Sequence, residues 1–495
     1  MKCLSRRAII WLCVAVSYGA IAASVSRAGE PEGLAVKLTA LAEAAGVAPE
    51  SLAFAFAEPN SGAVFGHRLN EPQKPASVQK ILTCAGALSH LGPDFVLTTE
   101  LFGEGEIHAG VLDGDLVVVG RGSPNSPEGE QDPFGIFQRW SANLKSRGIT
   151  AVRGRIRADD SYLAGAARHE DWPVEQHSEW YCAPSGSLNV NDNCLLVRIV
   201  AKAERIDVEL EPSVSPFRVV KKLVAVKDPK QHVFSVERSR LSPEIVVSGR
   251  FLAGGGTREH WIAIDAPTEF FVAALRWVLA KHGIEVRDEA LEPKLASARV
   301  LFDRHSIALA PVLARVLKDS QNLYADCLLR IVGRERGGDG SFASGADALE
   351  SLLATTALKS VGTAGLSVRD GSGLSHSNRV TPAQLVAVLD FAQREPWAKE
   401  LRAALAVGGV DGTLRKRFAN SALSGVVVAK TGHLNGVTTL AGYLDTSRGA
   451  VSFAFLYTGP SAKLRAAESW QQRALEELLS HYGPKPAAPP SERQL

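Results

Sequence analysis

The feature that most restricts the fold is a split of strand-forming segments between the two ends of the chain. Leu52 to Ala57 and Ala63 to Arg68 read as two strands around the turn Pro59-Asn60-Ser61-Gly62. Val426 to Lys430, Thr438 to Leu444 and Val451 to Tyr457 read as three more near the C-terminus. Helical texture lies beside both sets: residues 34 to 47, Ser77 to Leu91, Ser306 to Lys318, Leu323 to Val332, and a last helix with Ala467, Trp470, Ala474 and Leu478 on one face. This arrangement predicts an α+β fold in which one antiparallel sheet, flanked by helices, is built from both ends of the chain. From about residue 98 to 299 the texture turns to short β-rich runs, Leu116 to Val119, Val152 to Ala158, Leu195 to Val200, Ile206 to Leu210, Val233 to Val236 and Glu244 to Val247, with Phe270 to Lys281 as the one helix. The expected organisation is a discontinuous domain, 29–97 and 300–483, interrupted by a β-rich insertion of two subdomains over 98–299.

The 495 residues are 45% hydrophobic and 22% charged, which excludes a disordered or fibrous protein. Residues 1 to 28 read as a signal peptide: Lys2, Arg6 and Arg7 precede an apolar run from Ala8 to Val16, and Ala20-Ile21-Ala22 offers a cleavage site. The apolar run is shorter than the roughly 20 residues that span a bilayer, so a permanent anchor is the weaker reading and periplasmic export is expected. Ser5-Arg6-Arg7 fits a Sec or a twin-arginine signal equally. Removing residues 1 to 28 takes away Lys2, Arg6, Arg7 and Arg27 and no acid, which turns a formal charge of +2 into −2. A chain so near neutrality has no net attraction for nucleic acid or anionic lipid. The proline-rich stretch 484–495 reads as a flexible tail. Cys84, Cys182, Cys194 and Cys327 remain, either as buried thiols or as disulfides in one of three connectivities. Without CxxC or HExxH no zinc site is expected, and no cofactor.

Ser77-Val78-Gln79-Lys80 is the first chemical lead, because a serine hydroxyl needs a base and a lysine three positions along a helix shares its face. A helix start with a solvated lysine is the alternative. Against it, no other serine in the chain has lysine at +3, and this one opens a helix apolar on nearly all sides. Burial and a second cation are the two effects that would let Lys80 accept a proton near neutral pH. Lys430-Thr431-Gly432 closes the strand after Val426-Val427-Val428 and is the source of that second cation. Thr431 can hold a carboxylate and Gly432 lets backbone approach closely. Ser-x-Asn occurs four times, at Ser123, Ser141, Ser187 and Ser320. Only Ser320-Gln321-Asn322 lies at a helix junction outside the β-rich insertion and between the other two leads in chain order. There Ser320 can relay a proton to a leaving group while Asn322 hydrogen-bonds a substrate backbone.

Ser-x-x-Lys, Ser-x-Asn and Lys-Thr-Gly in this order resemble the signature of penicillin-binding proteins and serine β-lactamases. The spacing of 243 from Ser77 to Ser320 looks like that of the class C low-molecular-mass penicillin-binding proteins, the D-alanyl-D-alanine carboxypeptidase/endopeptidases with inserted domains. Further stretches agree, among them Asp370-Gly371-Ser372-Gly373-Leu374-Ser375, Gly409-Val410-Asp411-Gly412-Thr413-Leu414 and Ala183-Pro184 with Leu188 to Asn193. The likeness covers most of residues 30 to 480. It implies a transpeptidase-like domain that hydrolyses D-Ala-D-Ala bonds or cross-links in peptidoglycan stem peptides through an acyl-enzyme, and that β-lactam antibiotics acylate. Carried over, Ser77 is the nucleophile, Lys80 its base, Ser320, Asn322 and Lys430 the remaining catalytic set. Thr431, Gly432 and His433 bind substrate, the backbone N–H groups of Ser77 and His433 forming the oxyanion hole. Asp159 reaches the substrate side chain, and His376 and Asn435 stand where relatives often carry Arg and Gln to read the third residue of the stem peptide. Two rival readings are a sensor that stays acylated and a β-lactamase-like hydrolase on the same scaffold. The first lacks a visible signalling segment and the second is disfavoured by the insertion.

Overall fold

The computed structural model describes residues 30–59, 61–124, 132–203, 205–290 and 299–485. The signal-peptide reading of 1–28, nearly all of the tail reading, Asn60 and Asn125 lie outside these. Helix α1 (Glu30–Ala44) precedes strands β1 (Leu52–Ala57) and β2 (Val64–His67) and helix α2 (Gln79–Leu91). Gly46, at φ 72°, turns the chain after α1, so this helix stops three residues short of the expected 47. Gly92, at φ 80°, ends α2 where the Gly-Pro pair predicts.

The chain then runs through β3 (Val96–His108), β4 (Val111–Gly120), α3 (Gly135–Ser146), β5 (Ala151–Val152), β6 (Ile156–Asp159), β7 (Cys194–Lys202), β8 (Arg205–Glu211), β9 (Arg218–Val226), β10 (Val233–Glu237), β11 (Glu244–Leu252), β12 (Gly256–Ala263), α4 (Pro267–Lys281), β13 (Glu285–Val286) and β14 (Arg299–Ala308). These strands form three sheets, ordered β13-β5-β4-β3-β14 with β6 beside β4, β12-β7-β8, and β10-β11-β9. β14 returns antiparallel to β3, so exit and re-entry of this β-rich region are one paired ribbon. Two expectations need correction. α4 is not the one helix here, since α3 buries Ile136, Phe137, Trp140, Ser141 and Leu144 on one face, a helical spacing that its polar residues disguise. And Ser306 to Ala308 finish a strand rather than begin a helix, because Pro311 suits the first turn of a helix starting at Leu309.

The remaining elements are α5 (Leu309–Leu317), α6 (Asn322–Glu335), α7 (Phe342–Thr355), α8 (Pro382–Arg394), α9 (Ala398–Ala404), β15 (Ala406–Val407), β16 (Val427–Leu434), β17 (Val437–Thr446), β18 (Gly449–Thr458) and α10 (Leu464–Tyr482). The principal sheet is β15-β16-β17-β18-β1-β2, all antiparallel, with β1 between β18 and β2. It is the expected sheet from both ends of the chain, with one short strand added. β1 is buried throughout, and its alternation sorts large from small. Phe54 and Phe56 face Trp470 of α10 and the α1 side, whereas Ala55 and Ala57 face the helices α2 and α5 to α8. The small side chains let the α2 layer approach the sheet closely, which is where the motifs meet. No helix among the described residues is long and apolar enough to cross a membrane.

Candidate active site

Pro75 leads into a 3-10 turn, Ala76–Val78, before α2 begins at Gln79. Ser77 therefore sits on a tight turn whose preceding residue, Ala76, has φ 48°. Such backbone persists only where its surroundings hold it. Thr439 of β17 donates its hydroxyl to Pro75 O at 2.9 Å, and Gly432 of β16 lies directly against the turn. A Cβ on Gly432 would stand 2.2 Å from Thr439 Oγ1 and 2.8 Å from Ser77 N. Gly432→Ala is accordingly expected to push the Ser77 turn off the strand and to lower the melting temperature by a few degrees, measured by thermal unfolding.

Lys80 is fully buried. Its Nζ lies 3.0 Å from Ser77 Oγ, 2.6 Å from Asn322 Oδ1 and 2.6 Å from Ser372 O. Lys430, equally buried, reaches Ser320 Oγ at 2.9 Å and Thr431 O at 2.7 Å. Ser320 occupies the joint between α5 and α6 at φ 63°. The five residues expected to act together thus form two hydrogen-bonded groups, Ser77–Lys80–Asn322 and Ser320–Lys430, whose amines are close enough for their charges to interact.

Burial pushes the Lys80 ammonium down to about 8, opposed by the carboxyl groups of Asp326 and Asp370. Lys430 is driven well below its ordinary range, first by burial and then by the charge of Lys80. The sequence-based expectation had Lys430 as the cation that depresses Lys80. Burial, the other effect expected there, is the larger cause at Lys80, and the repulsion between the two amines belongs to both. Two ammonium groups so placed titrate as a pair.

The strand ladder fixes which groups of the third motif face the cleft. Asp445 N bonds Val426 O, and Gly408 of the β15 side bonds Val427 O. Alternation along β16 then turns the N–H groups of Thr431 and His433 away from β17, toward the edge that the two-residue β15 leaves open. The His433 side chain is exposed, with Nδ1 3.6 Å from Glu468 Oε1 of α10, so His433 offers the cleft its backbone. The Thr431 hydroxyl bonds Thr413 Oγ1 at 2.9 Å.

The outer candidates are more scattered. His376 lies on the loop after Ser375, and partial burial of its ring, then the charges of Lys74 and Arg379, hold its imidazolium below the usual range. Asn435 lies in the β16–β17 turn, where its Oδ1 accepts from Ser461 Oγ at 2.6 Å. Asp159 ends β6 and accepts from Ser161, with Arg121 and Arg299 as its neighbouring cations. Asp171 touches the 375–377 loop from outside, its Oδ2 accepting from Ser375 Oγ at 2.8 Å.

Sequence reasoning passed over two buried carboxyl groups behind Lys80. Asp326 Oδ1 accepts from the backbone N–H groups of Gly371 and Ser372 at 2.9 and 3.0 Å. Asp370 accepts from Gly373 N, Ser375 N, Asn378 Nδ2 and Trp172 Nε1, the last from the β-rich region. Together they shape the loop that presents Ser372 O to Lys80. Asp326 follows Asn322 by one helical turn and so shares its face, a spacing that could have flagged it. Cys84, Cys182, Cys194 and Cys327 are all buried free thiols. Among the described residues no cluster of His, Cys, Asp or Glu is placed to hold a metal.

Residues 39–481 match the D-Ala-D-Ala carboxypeptidase 3 (S13) family. The chain is similar to a D-alanyl-D-alanine carboxypeptidase of Actinomadura sp. (strain R39), 30% identical over 438 residues that cover 83% of this chain and 78% of the relative. It is also similar to the D-alanyl-D-alanine carboxypeptidase DacB of Haemophilus influenzae, 29% identical over 393 residues covering 76% and 78%. Among solved structures, penicillin binding protein 4 (DacB) of Haemophilus influenzae superposes with a TM-score of 0.74 at 24% identity, over 89% of this chain and 99% of that one. The fold is therefore the penicillin-binding-protein one that the motifs imply.

Proposed function

This chain belongs to the D-Ala-D-Ala carboxypeptidase 3 (S13) family, and from that premise we propose that it is an exported serine D-alanyl-D-alanine carboxypeptidase/endopeptidase acting on peptidoglycan stem peptides. The observation that carries this reading is the buried Lys80 amine 3.0 Å from Ser77 Oγ. Neutral Lys80 takes the Ser77 proton as Oγ attacks the carbonyl carbon of the penultimate D-Ala. The oxyanion forms between the N–H groups of Ser77 and His433, each such donor contributing on the order of 10² to 10³ in rate. Ser320, held by Lys430, passes a proton to the departing amine. Asn322 and Thr431 orient the peptide and its carboxylate, and water then hydrolyses the Ser77 ester. β-Lactams enter the same acylation step. Asp171 joins Asp159, His376 and Asn435 as a candidate for reading the third residue, because it contacts the loop that carries His376.

The test is covalent marking of the purified protein with fluorescent penicillin, followed by release of D-Ala from a synthetic pentapeptide. Both are expected. Marking without turnover would favour the sensor reading, and neither would remove the assignment. Mass spectrometry of digested cell wall separates the two activities: loss of cross-linked dimers marks an endopeptidase, loss of pentapeptide alone a carboxypeptidase.

A further inference from the structure

The Ser320–Asn322 segment is held from the β-rich region rather than by its own helices. Asn191, Asp192 and Asn193 take left-handed backbone in succession, φ 53°, 50° and 52°, a run that side-chain-bearing residues rarely adopt. The two asparagines fasten this turn from within. Asn193 Nδ2 donates to Pro184 O and Asn189 Oδ1, both at 2.7 Å, and Asn191 Nδ2 to Cys194 O at 2.8 Å. Asp192 is left to project across the junction of α5 and α6. Its Oδ2 accepts from Arg315 Nη2 of α5 at 2.9 Å and from Gln321 Nε2 at 2.7 Å, and its Oδ1 from Tyr324 OH of α6 at 3.1 Å.

One carboxylate therefore ties the end of one helix, the start of the next and the residue between them. Arg315 also bonds Asp319 Oδ2 at 2.8 Å, and its carbonyl accepts from Gln321 N at 3.1 Å. Ser320, at φ 63°, is thus bracketed on both sides by residues in this network. Earlier in the same region Tyr181 O accepts from Asn322 Nδ2 at 2.8 Å and so turns Asn322 Oδ1 toward Lys80.

We infer that Asp192 is a positioning residue: it holds the strained Ser320 turn so that Ser320 Oγ meets Lys430 and faces the leaving group. The inference rests on the proposed role of Ser320 as proton donor to that group. Its signature is dependence on leaving-group chemistry. An amine must be protonated to depart, whereas a thiolate leaves without a proton.

The experiment compares kcat/KM for a D-Ala-D-Ala peptide and for its thioester analogue in the full-length folded enzyme. Ser320→Ala is expected to lose about 100-fold on the amide and less than about 10-fold on the thioester. Asp192→Asn is expected to lose about 30-fold on the amide and about 3-fold or less on the thioester. Tyr324→Phe, which removes one of the three donors and keeps the ring, is expected to show the same bias at about 3-fold. A selective Ser320→Ala beside unselective or silent Asp192→Asn and Tyr324→Phe overturns the inference alone. An unselective Ser320→Ala overturns the reading of Ser320 and the inference with it. Should Asp192→Asn not fold, the bias of Tyr324→Phe decides.

Discussion

Ser77→Ala is expected to abolish covalent marking by fluorescent penicillin and to lower D-Ala release by about 10⁴-fold or more. The cluster contains two serine–lysine pairs of nearly equal geometry, Ser77 with Lys80 at 3.0 Å and Ser320 with Lys430 at 2.9 Å, so the choice of nucleophile needs an argument beyond proximity. The backbone supplies it. The Ser77 N–H lies against Gly432, one residue from the open-edged N–H of His433, so a carbonyl attacked by Ser77 Oγ has two donors at hand for its oxyanion. Peptide mapping of the penicillin adduct checks the assignment. The adduct is expected on the peptide containing Ser77, and an adduct on Ser320 would reverse the roles of the two pairs.

The second large effect is expected at Lys80. Lys80→Arg keeps a cation but removes the possibility of losing a proton, since guanidinium stays charged throughout the accessible range. Acylation is expected to fall by about 10³-fold. As the proposed base, Lys80 works only when neutral. With the Lys80 amine brought down to about 8, the rate of penicillin acylation should climb nearly tenfold per pH unit below that value and level off above it. Because the amines of Lys80 and Lys430 titrate as a pair, this limb belongs to both. A profile flat between pH 6 and 9 would mean that neither amine delivers the limiting proton transfer.

Much of this arrangement was legible before any coordinates. β1 was read residue for residue, because an apolar run of six bounded by turn residues has few alternatives. Ser77 and Lys80 were legible because their interaction is local. Ser320 was legible only by context, since Ser141 and Asn143 fit the same pattern and lie on α3, while Asn189 spends its amide on Ser123 O and Gly186 O. What escaped is of two kinds. Asp326 and Asp192 act through partners far away in the chain, and Asp370 joins its own loop to the distant Trp172; of the three, only Asp326, one helical turn after Asn322, has a local spacing that points to its place. The other is relative weight: burial and a second cation are both legible as causes of a lowered Lys80, but that burial comes first is a property of the closed fold and not of any residue.

The placement of β1 has a consequence for how the molecule comes into being. Leu52 pairs with Tyr457, roughly 400 residues later, so the centre of the principal sheet must wait for the end of the chain. At about 5 to 20 residues per second a ribosome takes roughly 20 to 80 s to supply the missing partner. Over that interval a strand apolar along its whole length has one edge unclaimed, open to pairing with a neighbouring nascent chain. Hazard for this polypeptide is therefore concentrated in its birth, before Ser77 and Lys430 have ever met.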